Sequence, residues 1–178
     1  FDEYNPVILN NVINDDALIV LQNFIKDAIN RKEIDLGDRQ SNRFRARNET
    51  VTRFLHYEVL ELIRKITKKD VRPTYTYLSC YTKDADLPAH TDQPDCEYTV
   101  SFIIDKPENS NWPIYLDKKK QPHKHKGRAD HTPKKEDCIS CDCDSGGLMI
   151  FNGTDHIHYR EPSIYDYYNI VLLHYRIN

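Results

Sequence analysis

The sequence lacks the apolar stretches that membrane insertion requires. No apolar run reaches the roughly 20 residues of a membrane-spanning helix, and the N-terminus has neither the basic start nor the apolar centre of a signal peptide. We therefore expect a protein without membrane spans that is located in the cytoplasm. The chain starts at Phe1 rather than at methionine, so a longer chain with signals elsewhere stays open.

The sequence also lacks a strong excess of either charge. Its 25 basic and 28 acidic residues give a formal net charge of −3 at pH 7, so any preference for nucleic acid or anionic membranes must come from local patches. Hydrophobic residues make up 39% and charged residues 30% of the chain, as in globular proteins. The length predicts a single domain over residues 1–178.

The cysteine pattern argues against a disulfide framework. The five cysteines are an odd number in a chain that is large enough to fold without disulfides, which favours a reducing compartment. Cys138, Cys141 and Cys143 include the Cys-x-x-Cys spacing of zinc sites. Three histidines precede them: His123, His125 and His131. A second cysteine pair is missing, which favours a loop with free thiols over a structural zinc site.

The first part of the chain has helical periodicity, and the second part does not. Residues 7–12 are typical of a short strand. Apolar residues then recur at three- and four-residue spacing over residues 16–30 and 49–67, which predicts two amphipathic helices. From Arg72 onward, stretches rich in aromatic and β-branched residues predict a series of short strands. Helices followed by strands indicate an α+β domain with helices on one side of a sheet.

Two polar segments interrupt these elements. Residues 39–47 carry four arginines without clear periodicity, which favours a solvated loop. The alternative is a surface for an anionic substrate or a nucleic acid backbone, since guanidinium groups match phosphate and carboxylate geometry. Residues 117–145 contain almost no large apolar side chains and are interpreted as a long inserted loop.

The sequence His90-Thr91-Asp92 is the main candidate for chemistry. It lies between two predicted strands, and residues i and i+2 of an extended backbone point to the same side. An imidazole and a carboxylate can therefore converge on one point. A further histidine would complete the 2-His-1-carboxylate triad, which binds Fe(II) and leaves coordination positions open.

A second segment, from Gly147 to Pro162, supplies candidates for that histidine. It has the pattern Gly-x-x-x-x-x-Gly, ending at Gly153, and then His156 and His158. The two histidines are two positions apart and share the parity of a strand, so local geometry alone does not distinguish them.

These two segments resemble the 2-oxoglutarate/Fe(II)-dependent oxygenase superfamily, especially its prolyl-hydroxylase-like branch. The features shared are His-x-Asp, the glycine pair and a histidine four residues before Pro162. The resemblance implies a double-stranded β-helix, or jelly roll, with N-terminal helices packed against the sheet. Residues 1–70 would then be a helical support region, and residues 71–178 a jelly-roll core with the inserted loop 117–145.

The resemblance also implies roles for particular residues. The distal ligand of the family stands four residues before the proline, which selects His158 over His156. His90, Asp92 and His158 would then hold Fe(II) and form the catalytic centre. The implied cosubstrate is 2-oxoglutarate, which is decarboxylated to succinate, and ascorbate stays open as a further cofactor. Halogenating members lack the carboxylate, so Asp92 favours hydroxylation.

The implied substrate is a protein side chain of the prolyl type or a small amino-acid-like molecule. Two alternatives remain open. One is a nucleic-acid oxygenase, which only the arginine segment, residues 39–47, and the lysine-rich inserted loop, residues 117–145, support. The other is a non-catalytic metal-binding jelly-roll module that engages partners without turnover.

The sequence departs from the family at the site for the distal carboxylate of the cosubstrate. Family members bind it with Arg or Lys about ten residues beyond the distal histidine, because a buried carboxylate needs a charge partner or several donors. That position is Tyr168 here. Arg160, which shares the parity of His158, is our first candidate for a replacement, and Tyr81, Tyr168 and Arg176 are the others.

Overall fold

The described residues, 5–37, 41–121 and 127–178, form eleven β-strands and three α-helices in this computed structural model. The strands are β1 (Val7–Leu9), β2 (Asp35–Leu36), β3 (Arg43–Arg47), β4 (Val71–Thr82), β5 (Leu87–His90), β6 (Tyr98–Asp105), β7 (Ile114–Lys120), β8 (Cys138–Cys141), β9 (Leu148–Asn152), β10 (His156–Arg160) and β11 (Tyr167–Ile177). The helices are α1 (Asp15–Asn30), α2 (Thr50–Glu58) and α3 (Leu60–Thr67).

The strands are arranged in two antiparallel sheets. The large sheet has the order β1-β9-β6-β11-β4-β3-β2, and the small sheet has the order β5-β10-β7-β8. Neighbours in each sheet are mostly distant in sequence. The pairing of β11 with both β4 and β6 therefore holds the C-terminal end of the chain in the middle of the large sheet.

Alternation along the central strands gives the large sheet two buried faces. In β6, Phe102 and Ile104 face the helices, whereas Ile103 faces the small sheet. In β9, Ile150 faces the helices and Met149 faces the small sheet. Every residue of β6 is buried. This explains why the central strands are almost continuously apolar, as expected for strands covered on both sides.

The helices cover one face of the large sheet. Asn14 caps α1 by accepting a hydrogen bond from the backbone N–H of Ala17 at 2.8 Å, as is usual at a helix N-terminus. Ile25 of α1 and Ile63 of α3 are buried in the same cluster as the outer side chains of the sheet. The predicted packing of N-terminal helices against the sheet is therefore present.

Several element boundaries differ from the sequence-based expectations. The helix predicted over residues 49–67 is two helices separated at Val59. Residues 43–47, interpreted as part of a loop, form strand β3, while Arg39 lies outside the described residues. The region 117–145 is not simply an inserted loop, because it contains the end of β7 and all of β8. Residues 1–70 contribute three strands as well as the helices.

No helix in the described part of the chain has the length and apolar composition needed to cross a membrane.

The packing predicts a strong difference between two phenylalanines. Phe102 is 1% exposed between the sheet and the helices, whereas Phe54 on α2 is 64% exposed. Phe102→Ala should lower the free energy of unfolding by about 3–5 kcal/mol, because it leaves a cavity in the core. The matched variant Phe54→Ala should change it by less than about 0.5 kcal/mol. Urea unfolding measures both values, and similar losses in the two variants would contradict this packing.

Candidate active site

A cavity of about 740 Å³ lies between the two sheets. Its lining includes His90 and Asp92 from the β5 region, His158 and Arg160 from β10, and Arg43 from β3. A volume in this range is typical of sites for small molecules. The cavity therefore brings together candidate residues from both segments identified in the sequence.

His90 and His158 are direct neighbours across the pairing of β5 with β10. Their ring centroids are 4.3 Å apart. Asp92 follows β5, and its Oδ1 lies 3.5 Å from Nε2 of His90 and 3.6 Å from Nε2 of His158. One donor atom from each residue lies within 4.8 Å of the other two. The three side chains thus surround a single point, as ligands of one metal ion do.

Backbone carbonyls orient both imidazoles. Nδ1 of His90 lies 2.8 Å from the carbonyl oxygen of Pro88, and Nδ1 of His158 lies 3.0 Å from that of His156. A carbonyl oxygen only accepts, so each Nδ1 carries the proton and donates it. Both Nε2 atoms then face the shared point, where each offers a lone pair to a metal ion once it carries no proton, an arrangement commonly found around metal-binding histidines.

Asp92 is fixed by its surroundings on the opposite side. The hydroxyl of Thr99 donates to Oδ2 of Asp92 at 2.6 Å, and the backbone N–H of Asp92 donates to the carbonyl oxygen of Gly153 at 2.8 Å. A Cβ atom at Gly153 would lie 2.1 Å from Oδ2 of Asp92. The carboxylate therefore occupies space that only glycine leaves open.

The triad also shifts its own protonation equilibria. Burial alone would raise the pKa of Asp92, but the charge and hydrogen bonds of His158 and then His90 hold this pKa well below its usual range. Burial, followed by repulsion from His158, lowers the pKa of His90. An ionised carboxylate beside a neutral imidazole is the protonation state that binds a metal.

Two further histidines lie behind the carboxylate. Nδ1 of His174 lies 3.1 Å from the hydroxyl of Thr99, and Nε2 of His56 lies 2.8 Å from the carbonyl oxygen of His174. Burial lowers the pKa of His56 and of His174 to about 4. Both are therefore neutral at pH 7 and can donate a hydrogen bond without adding a positive charge behind Asp92.

His156 does not reach the cavity, although it is only two residues from His158. Its Nδ1 lies 2.8 Å from the carbonyl oxygen of Asp117. The register of β10 against β7 shifts between His156 and His158, and such an irregularity breaks the simple alternation of side chains. His156 is therefore a buried structural residue of the small sheet.

Arg160 points into the cavity from the end of β10. Its guanidinium lies 4.7 Å from the ring centroid of Trp112 and 5.5 Å from that of Tyr168. Nη1 donates to the carbonyl oxygen of Trp112. Within the described part of the chain, Nη2 is buried without a hydrogen-bond partner, which is rare for a charged group. This atom is available to a bound anion.

The two predicted tyrosines have different positions. Tyr81 lines the cavity, and its hydroxyl accepts a hydrogen bond from Nη1 of Arg43 at 2.7 Å. Its own proton is therefore free to be donated. The hydroxyl of Tyr168 donates to Oδ1 of Asp142 at 2.5 Å, with Asp142 also paired to Lys106. Tyr168 thus supports Arg160 rather than offering a donor of its own.

Arg176 lies away from the cavity. Its side chain is half exposed and pairs with Asp95 at 3.3 Å. Arg176 shares the face of β11 that carries Leu172 and His174, but those two residues line the cavity whereas Arg176 lies beyond it, at the exposed end of the strand. It no longer belongs among the candidates for the cosubstrate anchor.

The three clustered cysteines fall into two different buried clusters in the described part of the chain. Cys138 packs in a small cluster with Ile157, whereas Cys141 and Cys143 belong to the core between the sheets. Burial raises the pKa of Cys141 to about 11 and that of Cys143 to about 12, so these thiols stay protonated at neutral pH. No group of three close metal-binding side chains among the described residues includes a cysteine. Two histidines of the zinc hypothesis, His123 and His125, lie outside the described residues.

Sequence reasoning missed four residues of the site: Arg43, Thr99, Trp112 and His174. Thr99 and His174 lie on strands that were predicted, but single polar residues within a buried strand gave no reason to select them. Arg43 carried a signal, because it lies in the arginine segment, whose alternative interpretation was an anion-binding surface.

Comparison with known proteins identifies the fold of this chain. No family model matches the sequence, and no curated protein matches it. Among solved structures, a Pseudomonas putida prolyl-4-hydroxylase superposes with a TM-score of 0.70 at 10% identity, covering 97% of this chain and 92% of that one. The chain has the fold of the 2-oxoglutarate-dependent oxygenases. The predicted jelly roll is thereby confirmed.

Two other solved structures share this fold. HygX from Streptomyces hygroscopicus, determined with nickel, 2-oxoglutarate and hygromycin B bound, has a TM-score of 0.68 at 13% identity over 100% of this chain and 85% of that chain. A Trichoplax adhaerens prolyl hydroxylase, in complex with a peptide fragment of the hypoxia inducible factor oxygen degradation domain, has a TM-score of 0.69 at 16% identity over 95% and 82%.

The contact between Gly153 and Asp92 generates a prediction for stability. In Gly153→Ala the new methyl group collides with the carboxylate, which should lower the free energy of unfolding by about 1–3 kcal/mol. In the Asp92→Ala background the carboxylate is gone and the hydroxyl of Thr99, 2.9 Å from the added Cβ, is the close contact that remains, so the same glycine substitution should cost clearly less than in the unmodified protein. A double-mutant cycle by urea unfolding of the metal-free protein measures this coupling. Equal costs in both backgrounds would mean that the contact with Thr99, not the carboxylate, requires glycine.

Proposed function

We propose that this chain is an Fe(II)- and 2-oxoglutarate-dependent dioxygenase in which residues 1–178 act as one oxygenase domain. The observation that carries the proposal is the convergence of His90, Asp92 and His158 on one point inside a cavity between two sheets. Two imidazoles and one carboxylate on one side of an ion are the donor set of non-haem Fe(II) oxygenases, and they leave positions open for other ligands.

The residues present suit Fe(II) on three counts. Both Nε2 atoms face the shared point because backbone carbonyls hold the Nδ1 protons. The pKa of Asp92 lies well below its usual range, so the carboxylate is ionised at neutral pH. Thr99 donates to Oδ2 of Asp92, and Oδ1 is the oxygen that lies beside both imidazoles. His90, Asp92 and His158 are the proposed ligands and catalytic centre.

Arg160 is the proposed anchor for the distal carboxylate of 2-oxoglutarate. Its unpaired Nη2 is buried in the cavity that also contains the triad, and a buried charge of this kind requires a partner of opposite charge. Tyr81, on the facing sheet, has a hydroxyl proton available as a second donor. Arg160 then supplies the positive charge that the family has at the position of Tyr168. The rings of Trp112 and Tyr168 hold its guanidinium in place.

When bound, Fe(II) supplies the activation of dioxygen, in which 2-oxoglutarate, O2 and a substrate C–H group become succinate, CO2 and an alcohol. The residues of the chain orient and shield this reaction. Arg160 and Tyr81 set the direction of the cosubstrate, Thr99 and Gly153 hold Asp92, and Phe151 packs edge-on against His158 at 5.1 Å. Apolar walls from Ile114, Ile170 and Leu172 limit the access of water.

The substrate proposed from the fold is a protein side chain of the prolyl type or a small amino-acid-like molecule. One protein with this fold binds a peptide fragment, and another binds hygromycin B. Both classes are compatible with a cavity of about 740 Å³.

The metal assignment predicts which histidine matters. His90→Gln, Asp92→Asn and His158→Gln should each weaken anaerobic Fe(II) binding by more than about 100-fold, which exceeds the usual effect of losing a supporting contact. His156→Gln is the matched control, because its ring lies against the carbonyl oxygen of Asp117 and does not line the cavity, and it should bind Fe(II) within about threefold of the unmodified protein. Calorimetric titration measures the affinities. Retained binding in His158→Gln with loss in His156→Gln would reverse the assignment.

The anchor assignment makes a separate prediction. Arg160→Gln should raise the Kd for 2-oxoglutarate about 30-fold or more in the metal-loaded protein, since loss of a buried charge partner costs at least about 2 kcal/mol. Binding of 2-oxobutyrate, which has the same chelating end and no distal carboxylate, should change little. Arg176→Gln, at an exposed arginine, is the control and should bind both acids normally. Equal effects on the two acids would exclude Arg160 as the anchor.

A further inference from the structure

Strand β3 presents three arginines on one face. Arg43, Arg45 and Arg47 alternate with Phe44 and Ala46, so their side chains point to the same side of the strand. Phe44 and Ala46 pack towards the helices. The arginine face is therefore the inner one, and Arg43 and Arg45 line the cavity. The guanidinium of Arg47 lies 4.3 Å from the ring centroid of Tyr75, another lining residue.

The register of the large sheet orders these arginines along the cavity. Arg43 lies opposite Tyr81, which in turn pairs with Tyr168 beside Arg160. Arg43 is therefore at the end of the cavity assigned to the distal carboxylate of the cosubstrate.

Arg45 and Arg47 lie progressively closer to the metal end. Arg47 is opposite Tyr77, which pairs with Leu172, two residues from His174 and its contact with Thr99. Exposure increases in the same direction, because Arg43 is buried, Arg45 is half-buried and Arg47 is exposed.

Arg45 and Arg47 have no carboxylate partner in the described part of the chain. Nε of Arg45 donates to the carbonyl oxygen of Gly37 at 3.0 Å, which fixes the side chain and leaves its terminal nitrogens for another acceptor. Among the described residues that line the cavity, Asp92 is the one with a carboxylate, and it is a proposed metal ligand. The cavity thus has more guanidinium groups than one dicarboxylate cosubstrate needs.

We propose that Arg45 and Arg47 bind an anionic group, a carboxylate or a phosphate, of a small substrate that enters beside Tyr75 and Tyr77. This inference rests on the proposed function and names the substrate class for the same site. Guanidinium forks match both anions, and the two tyrosine rings can contact an apolar part of the same molecule. The cavity volume of about 740 Å³ suits a small molecule.

The alternative ligand, a nucleic acid backbone, is less favoured by the charge distribution. The formal net charge of −3 provides no general attraction to a polyanion. The positive charge of Arg43 and Arg45 is instead directed into the cavity between the sheets, where a single anionic group can be bound.

The test uses phenyl phosphate and phenylacetate as probes, with benzyl alcohol as the neutral control. Each is titrated by calorimetry into the protein loaded with Ni(II) and 2-oxoglutarate, and into the metal-free protein. Whichever anionic probe the protein binds, Arg45→Gln should weaken its binding about tenfold or more, as expected for loss of a charge-assisted hydrogen bond. Arg47→Gln should also weaken the binding of that probe. The matched control Arg72→Gln, at an exposed arginine on β4, should leave it unchanged. A preference for one probe identifies phosphate or carboxylate as the group recognised.

Three outcomes would overturn the proposal: neither anionic probe binds, the arginine variants bind them normally, or the probes compete with 2-oxoglutarate. If the two arginine variants lose binding to a short single-stranded RNA or DNA but bind the probes normally, β3 is assigned to nucleic acid instead. The variant Arg45→Gln should keep the affinity for 2-oxoglutarate. If the probes bind through Arg45 in a protein that binds neither metal nor 2-oxoglutarate, the anion site is supported and the oxygenase assignment fails.

Discussion

The pairing of β5 with β10 is the constraint on which the site depends. It places His90 opposite His158, and Asp92 follows two residues later on the same side. A shift of one residue in an antiparallel pair turns every side chain of one strand to the other face, so one histidine would leave the cavity. The small sheet therefore has to hold this register, and the core contacts of Leu87, Ile114 and Leu116 with the large sheet keep it in place.

A buried carboxylate between two imidazoles is costly for the fold when no metal is bound. The structure offsets this cost locally, since Thr99 donates to Asp92, backbone carbonyls accept from both histidines, and Gly153 gives the carboxylate room. A metal ion that binds these groups only when they are assembled also stabilises the folded state. The same contacts therefore serve stability and the proposed chemistry.

The sequence predicted the helices, the strand-rich second half and the meeting of His90, Asp92 and His158, because each of these follows from local periodicity or from a motif. It did not distinguish His156 from His158 by geometry, since the alternation argument assumes a regular strand and the register shifts between them. Strand β3 was missed because its charged residues face the cavity and its apolar ones, Phe44 and Ala46, are few. The register of β10 and the formation of β3 are both determined by pairing with strands that are distant in sequence.

The most direct test of the central claim is succinate formation by the Fe(II)-loaded protein in air, with 2-oxoglutarate and no added substrate. Enzymes of this type decarboxylate the cosubstrate slowly on their own. We expect succinate and CO2 in equal amounts, at a rate that falls to background when Asp92 is replaced by Ala. A protein that binds Fe(II) and 2-oxoglutarate at the triad yet forms no succinate, or that forms it equally well without Asp92, would contradict it.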